Sequence, residues 1–414
     1  MKNALTLTLL AAASSASMAQ APASNVTVYG IMDAGLTYTT GLASNKMQLV
    51  SGIMEGSRFG LRGNEDIGGG YRALFVLEHR AEINNGTGSN RPPSGTQTPD
   101  RLNQAALLGL PGALQPAVSG VAAGIGGTLG VNLGGTFWDR QAFVGLVTPF
   151  GAVIAGRQYT PAYETFAAFD TLGTQSSLSA GQVASIPSSV TIRANNALQY
   201  RIVLGGLTAS AMYALGSVPG NAAAGRLGGV MATYTMGGLK VGAGYNKINN
   251  DLGLASLTST VVGASYAIGP GTVSGMVVSY KDDNPSGVSG ITASLTPLVG
   301  AGGAALVQAA FTSALRQDAQ MLHVGYKMTT GPNTFYVAYS AANDKRAPNA
   351  DVASYGVAYT YALSKRTDLN AVLTHFNNKN LAQAAPGQAG FLGGVTRSAG
   401  VDSNNAAFGI RHRF

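Results

Sequence analysis

The chain has 414 residues, of which 45% are hydrophobic and only 11% charged, with 57 glycines, no cysteine and a formal net charge of +8. The missing cysteines exclude a disulfide framework and thiolate metal sites, and the charged share is about half that of an ordinary soluble domain. The basic residues are scattered rather than gathered in a patch, which argues against nucleic acid as a partner. No run of about 18 residues is strongly apolar and free of glycine or proline, so crossing a membrane by helices is not expected.

In chain order, Lys2, the apolar run from Ala4 to Ala13 and the small residues Ser17 and Ala19 predict a secretory signal over 1–19. The mature domain would then be 20–414, starting at Gln20. From residue 26 the sequence alternates with period 2. Strand one, 26–39, sets Val26, Val28, Met32, Ala34, Leu36 and Tyr38 against Thr27, Asp33 and Thr37. Strand two, 57–64, sets Phe59 and Leu61 against Arg58, Gly60 and Arg62, and strand three, 71–79, sets Tyr71, Ala73, Phe75 and Leu77 against Arg72 and Glu78. Further strands are expected at 139–147, 151–158, 193–202, 206–215, 227–236, 239–248, 257–268, 272–281, 318–329, 333–342, 351–363 and 367–377. The sixteenth ends the sequence with Phe408, Ile410 and Phe414 on one side and Gly409, Arg411 and Arg413 on the other.

The connections alternate. Short ones fall at 65–70, 148–150, 203–205, 237–238, 269–271, 330–332 and 364–366. Long ones fall at 40–56, 80–138, 159–192, 216–226, 249–256, 282–317, 343–350 and 378–404. Short turns on one rim, long loops on the other and an even strand count predict an all-β fold, a 16-stranded antiparallel transmembrane β-barrel. A barrel of that size leaves a water channel. The apolar, Gly- and Ala-rich segments Leu102–Gly135 and Ile291–Phe311 are read as collapsed surface loops, in preference to helices over the channel mouth or against a neighbouring subunit.

The stretches VTVYGIMDAGLTY from Val26, Ser57 to Glu78, Asp139 to Tyr163 and the terminal GIRHRF together resemble the general porins of Gram-negative outer membranes, in particular trimeric sixteen-stranded porins of β-proteobacterial type. The resemblance implies a diffusion channel of the outer membrane, narrowed by an inward-folded third loop and carrying no cofactor. It implies a homotrimer in contact with lipid and lipopolysaccharide, inserted by barrel-assembly machinery that reads the terminal strand and Phe414. Carried over, the basic side of the constriction falls on Arg58, Arg140 and Arg193. Glu164 and Asp170, the carboxylates between Tyr159 and Ser189, are candidates for the loop side.

Alternation independently turns Arg58, Arg62, Arg193 and Arg201 away from the apolar faces of their strands. An arginine facing lipid near mid-membrane would cost about 2–4 kcal/mol. Arg140 rests on the resemblance, because both faces of its strand are apolar. Arg72, Glu78, Lys240, Lys327, Arg411, Arg413 and Asp33 complete the expected lining. Bases outnumber acids, so an anion preference is expected. The four histidines, His79, His323, His375 and His412, show no metal-ligand spacing and are read as structural. No nucleophile motif accompanies them, so no enzyme is expected. The rival reading is a channel specific for a sugar or organic acid, with Tyr159, Tyr163, Phe166 and Phe169 as an aromatic track.

Overall fold

A computed structural model describes residues 24–43, 46–88, 102–129, 136–174, 176–216, 218–387 and 390–414. The signal segment 1–19 and Gln20 lie outside them. Seventeen strands join in one antiparallel sheet that closes on itself. They are β1 (Ser24–Thr39), β2 (Lys46–Ser51), β3 (Arg58–Gly68), β4 (Tyr71–Arg80), β5 (Gln141–Thr148), β6 (Gly151–Tyr159), β7 (Arg193–Leu204), β8 (Leu207–Ala214), β9 (Leu227–Met236), β10 (Leu239–Asn249), β11 (Ala255–Ile268), β12 (Gly271–Asp282), β13 (Gln317–Thr330), β14 (Asn333–Asp344), β15 (Val352–Ala362), β16 (Thr367–Asn378) and β19 (Ser403–Arg413). β17 (Ala384–Gly387) and β18 (Gly390–Val395) form a separate hairpin in the loop before β19.

Closure comes from β1 pairing with β19, from Ile31 opposite Arg413 to Thr39 opposite Asn405. Gly30 and Phe414 exchange backbone hydrogen bonds of 3.1 Å at the end of this seam. The sheet therefore has no free edge, the condition for a strand structure in lipid. On its other side β1 pairs with β3 through Ser24–Ile31 and with β2 through Ala34–Thr39. β2 and β3 are thus two halves of one stave, and the wall has sixteen. The sequence placed β2 inside the loop 40–56, because the six residues 52–57 interrupt the alternation.

Period 2 sorts the side chains. Val28, Leu36, Val144, Leu198, Phe408 and Ile410 are exposed on the outer face, where lipid replaces water as solvent. The turn expected at 65–70 is shorter, Gly69–Gly70, because β3 runs on to Gly68. The turns at Gly205 and Gly331 use φ of 58° and 55°, the left-handed conformation glycine adopts at least cost.

Among the described residues, four α-helices lie in the long loops: α1 (Gln115–Leu129) in loop 2, α2 (Pro161–Phe169) and α3 (Ala180–Ala184) in loop 3, and α4 (Ile291–Leu315) in loop 6. The reading of 102–135 and 291–311 as collapsed loops is corrected for the described residues. Their apolar side chains fall on helical faces and bury together, Val118, Ala122 and Ile125 with Leu295, Val307 and Phe311. One glycine makes a break, Gly300 (φ 73°, ψ 164°), where α4 folds back so that the Thr292 N–H donates to Gln308 Oε1 at 2.8 Å. By length and composition α4 could cross a membrane. Its place between β12 and β13 makes it part of a loop.

Candidate channel constriction

Loop 3, between β6 and β7, turns into the barrel. Thr160 caps α2 by accepting from the Tyr163 N–H, and Pro161 sits in the first turn, where its missing N–H costs nothing. The helix lies on the inner face of β9–β12 because that wall lacks side chains where it passes. A Cβ on Gly244 would stand 2.3 Å from Thr165 Oγ1, and one on Gly263 would stand 2.4 Å from Phe169 Cδ2. Phe166 and Phe169 are completely buried against this seat.

Beyond α2 the loop is tied to β13. The Thr171 N–H donates to His323 Nε2 at 3.1 Å, and Ser340 Oγ lies 2.9 Å from Nδ1. An amide can only donate, so Nε2 is unprotonated and Nδ1–H donates to Ser340. His323 is structural, as expected. Tyr163 is buried in α2 with its hydroxyl 2.7 Å from Thr174 Oγ1. Burial pushes its phenol above the ordinary pKa, so it stays neutral.

The staves on either side of loop 3 carry the arginines. Arg58 opens β3, Arg140 precedes β5 and Arg193 opens β7. Between them stand Glu78 of β4 and Tyr159 of β6. Arg140 Nε donates to Glu78 Oε1 at 2.6 Å, and Arg58 Nε lies 3.8 Å from Glu78 Oε2. The Tyr29 hydroxyl donates to the same oxygen at 3.1 Å. Arg140 and Arg193 both donate to the Tyr159 hydroxyl, at 3.1 and 3.4 Å. The three arginines named from the sequence are thus joined in one row by a carboxylate and a phenol.

A second cluster lies near the seam. Arg411 and Arg413 on β19 both pair with Glu55 and with Asp368 of β16, at 2.8–3.0 Å. Glu55 also accepts from Arg58 at 2.7 Å. It reaches this position because 52–57 turn inward from the broken second stave. Asp33 fixes the excursion by accepting from the N–H groups of Ile53, Met54 and Glu55 at 2.8–2.9 Å. Sequence reasoning missed Glu55 and Asp368. The acid three residues ahead of Arg58 was the available signal.

Two expected acids do not face the channel. Asp170 has no side-chain exposure, because its oxygens accept from Leu172 N–H and Thr174 N–H within its own turn. Asp33 is spent on the backbone of 52–57. Glu164 does face inward, but Arg201 donates to both its oxygens at 2.9 and 3.0 Å. The aromatic track is not formed either, since Tyr163, Phe166 and Phe169 are all buried. Four described bases that make no ion pair each lie over a ring: Arg62 over Tyr29 at 5.1 Å, Arg193 over Tyr159 at 4.9 Å, Lys240 over Phe169 at 5.8 Å and Lys327 over Tyr336 at 5.6 Å. A π face holds a cation without cancelling its charge. Arg72 shares the inner face with these groups.

Comparison with known proteins decides what this barrel is. A family model described as Gram-negative porin matches residues 6–381. The chain belongs to that family. It is an outer-membrane β-barrel channel for transport, and not an enzyme. The porin is 26% identical to outer membrane porin protein 32 of Delftia acidovorans over the full length of both chains. It is 36% identical to an outer membrane porin protein of Bordetella pertussis over 100 residues, covering 20% of this chain and 26% of that one. Among solved structures it resembles an anion-selective porin from Comamonas acidovorans, with a TM-score of 0.69, 22% identity and coverage of 94% of this chain and all of the other. It also resembles OmpT of Vibrio cholerae, with a TM-score of 0.59 at 13% identity over 96% of this chain and 99% of the other. These last two likenesses concern the fold of the porin.

Proposed function

We propose that this porin is a general diffusion channel that prefers anions, with Arg58, Arg140 and Arg193 as the basic side of its constriction and Glu164 on the loop side. The observation that carries the reading is the unequal compensation of charge. Among the described residues, the inward carboxylates Glu55, Glu78, Glu164 and Asp368 are each paired with an arginine, while Arg62, Arg193, Lys240 and Lys327 lie over aromatic rings. Fixed cations along a water-filled path attract anions and repel cations. Arginine keeps its charge at any working pH. The anion selectivity in the name of the Comamonas structure supports the same sign.

The assembly that goes with this reading is a homotrimer in outer-membrane lipid and lipopolysaccharide. It is inserted by barrel-assembly machinery through the terminal strand and Phe414, after removal of a signal at 1–19. One of the similar OmpT structures is titled a trimer form, which supports the oligomer. No observation favours a sugar- or acid-specific channel, since the loop 3 aromatics serve as anchors. The test is the reversal potential across a potassium chloride gradient. Wild type gives an anion-preferring sign, and Arg58→Ala and Arg140→Ala each move it toward zero. A cation-preferring wild type overturns the proposal.

A further inference from the structure

We infer that the uncharged helices of loops 2 and 6 meet above the channel as an arch, and that this arch is a first size filter, ahead of the constriction, for solutes entering from the loop side. The topology carries the argument. Loop 2 joins the third and fourth staves, β4 and β5, while loop 6 joins the eleventh and twelfth, β12 and β13. Their attachments are eight staves apart in a ring of sixteen, on opposite sides of the barrel. Yet the two loops share one apolar core. Leu102, Val118 and Ile125 bury with Leu295, Val307 and Phe311.

Dimensions agree. Staves about 4.8 Å apart and tilted by about 40° close sixteen into a ring about 30 Å across. The 15 residues of α1 extend about 22 Å at about 1.5 Å each, which covers most of that width. The loop 6 end is anchored to its neighbours. Arg346 of loop 7, paired with Asp344 at 2.7 Å, donates to the Ala314 carbonyl at 3.3 Å, at the end of α4. Ser289, just ahead of α4, bonds Asp251 of loop 5.

Chemistry indicates what the arch sorts. Neither Gln115–Leu129 nor Ile291–Leu315 contains a charged residue. The helices of the arch therefore carry no charged side chain over the path, and they discriminate by bulk rather than by sign.

The chain has no cysteine, so an introduced pair is unique. Leu114 Cδ2 lies 3.5 Å from where a Cβ on Gly303 would stand. Leu114→Cys with Gly303→Cys, treated with a short bismaleimide and cut at a protease site engineered into loop 4, should leave the two fragments joined in denaturant. In single channels of the unmodified porin, neutral polyethylene glycols of graded size should enter from the turn side at sizes refused from the loop side. Replacing 291–315 by a short Gly-Ser turn should abolish that asymmetry and raise conductance. Separated fragments from a folded barrel overturn the arch, as does polymer entry equal from both sides in the unmodified porin. The polymers are neutral, so neither result depends on the anion preference.

Discussion

Glu78 is shared by two arginines, and that sharing sets how much positive charge the constriction presents. Glu78→Gln removes the common counter-charge of Arg58 and Arg140 while keeping the shape of the side chain. The expected outcome is a reversal potential shifted further toward anions, and an unchanged value would show that Glu78 does not act on permeating ions. His323 is a different kind of residue, since it serves the loop rather than the solute. His323→Ala leaves the Thr171 N–H without its acceptor in a buried place, at a cost of about 1–3 kcal/mol. Faster amide exchange over 170–174, with the barrel still closed, is the expected reading. Asp170 shows why single residues were hard to place from sequence. A carboxylate facing the channel and one closing its own turn look alike until the turn's N–H groups are located.

Loop 3 owes its position as much to the wall as to itself. Gly263→Val would drive a branched side chain into Phe169 and force α2 away from β11. Altered single-channel conductance with increased current noise is expected, whereas Gly228→Ala, which meets nothing within 4 Å, is the control that leaves the current as it was. Elements differ in how legible they were. A strand between lipid and water must carry an apolar residue at every second position, so sixteen staves could be counted from alternation alone. The helices of loops 2 and 6 bury their faces in a core the two loops share, and their glycine-rich sequences carry no charged face to mark the period. The break in the second stave was hidden for a related reason. Asp33 holds a backbone some twenty residues downstream, and only the folded chain brings them together.

The barrel as a whole stands or falls with the β1–β19 seam. Deleting 403–414 would leave β1 and β16 as long open edges in lipid, each with unpaired N–H and C=O groups. The expected result is loss of the compact, heat-modifiable form on gels and recovery of the protein as aggregate. A truncated chain that still migrates as a folded barrel would contradict the closure described above. The sixteen-stave count and the seam partners were readable because both terminal strands alternate cleanly. The contact between loops 2 and 6 across the mouth depends on the whole ring being closed, and no local pattern announces it.

The seam also fixes an order of events. β1 leaves the ribosome long before its partner β19, with all the other staves made in between. During the whole interval between, the growing chain holds an adhesive strand with nothing to pair to, and the same hazard recurs at every unfinished edge. Closure is thus necessarily a late event, separated from the synthesis of β1 by the time taken to make and move the rest of the barrel up to β19. Any fragment that lacks one of the two seam strands keeps an open edge, so the closed wall that makes the barrel durable in the membrane forms only when both are present.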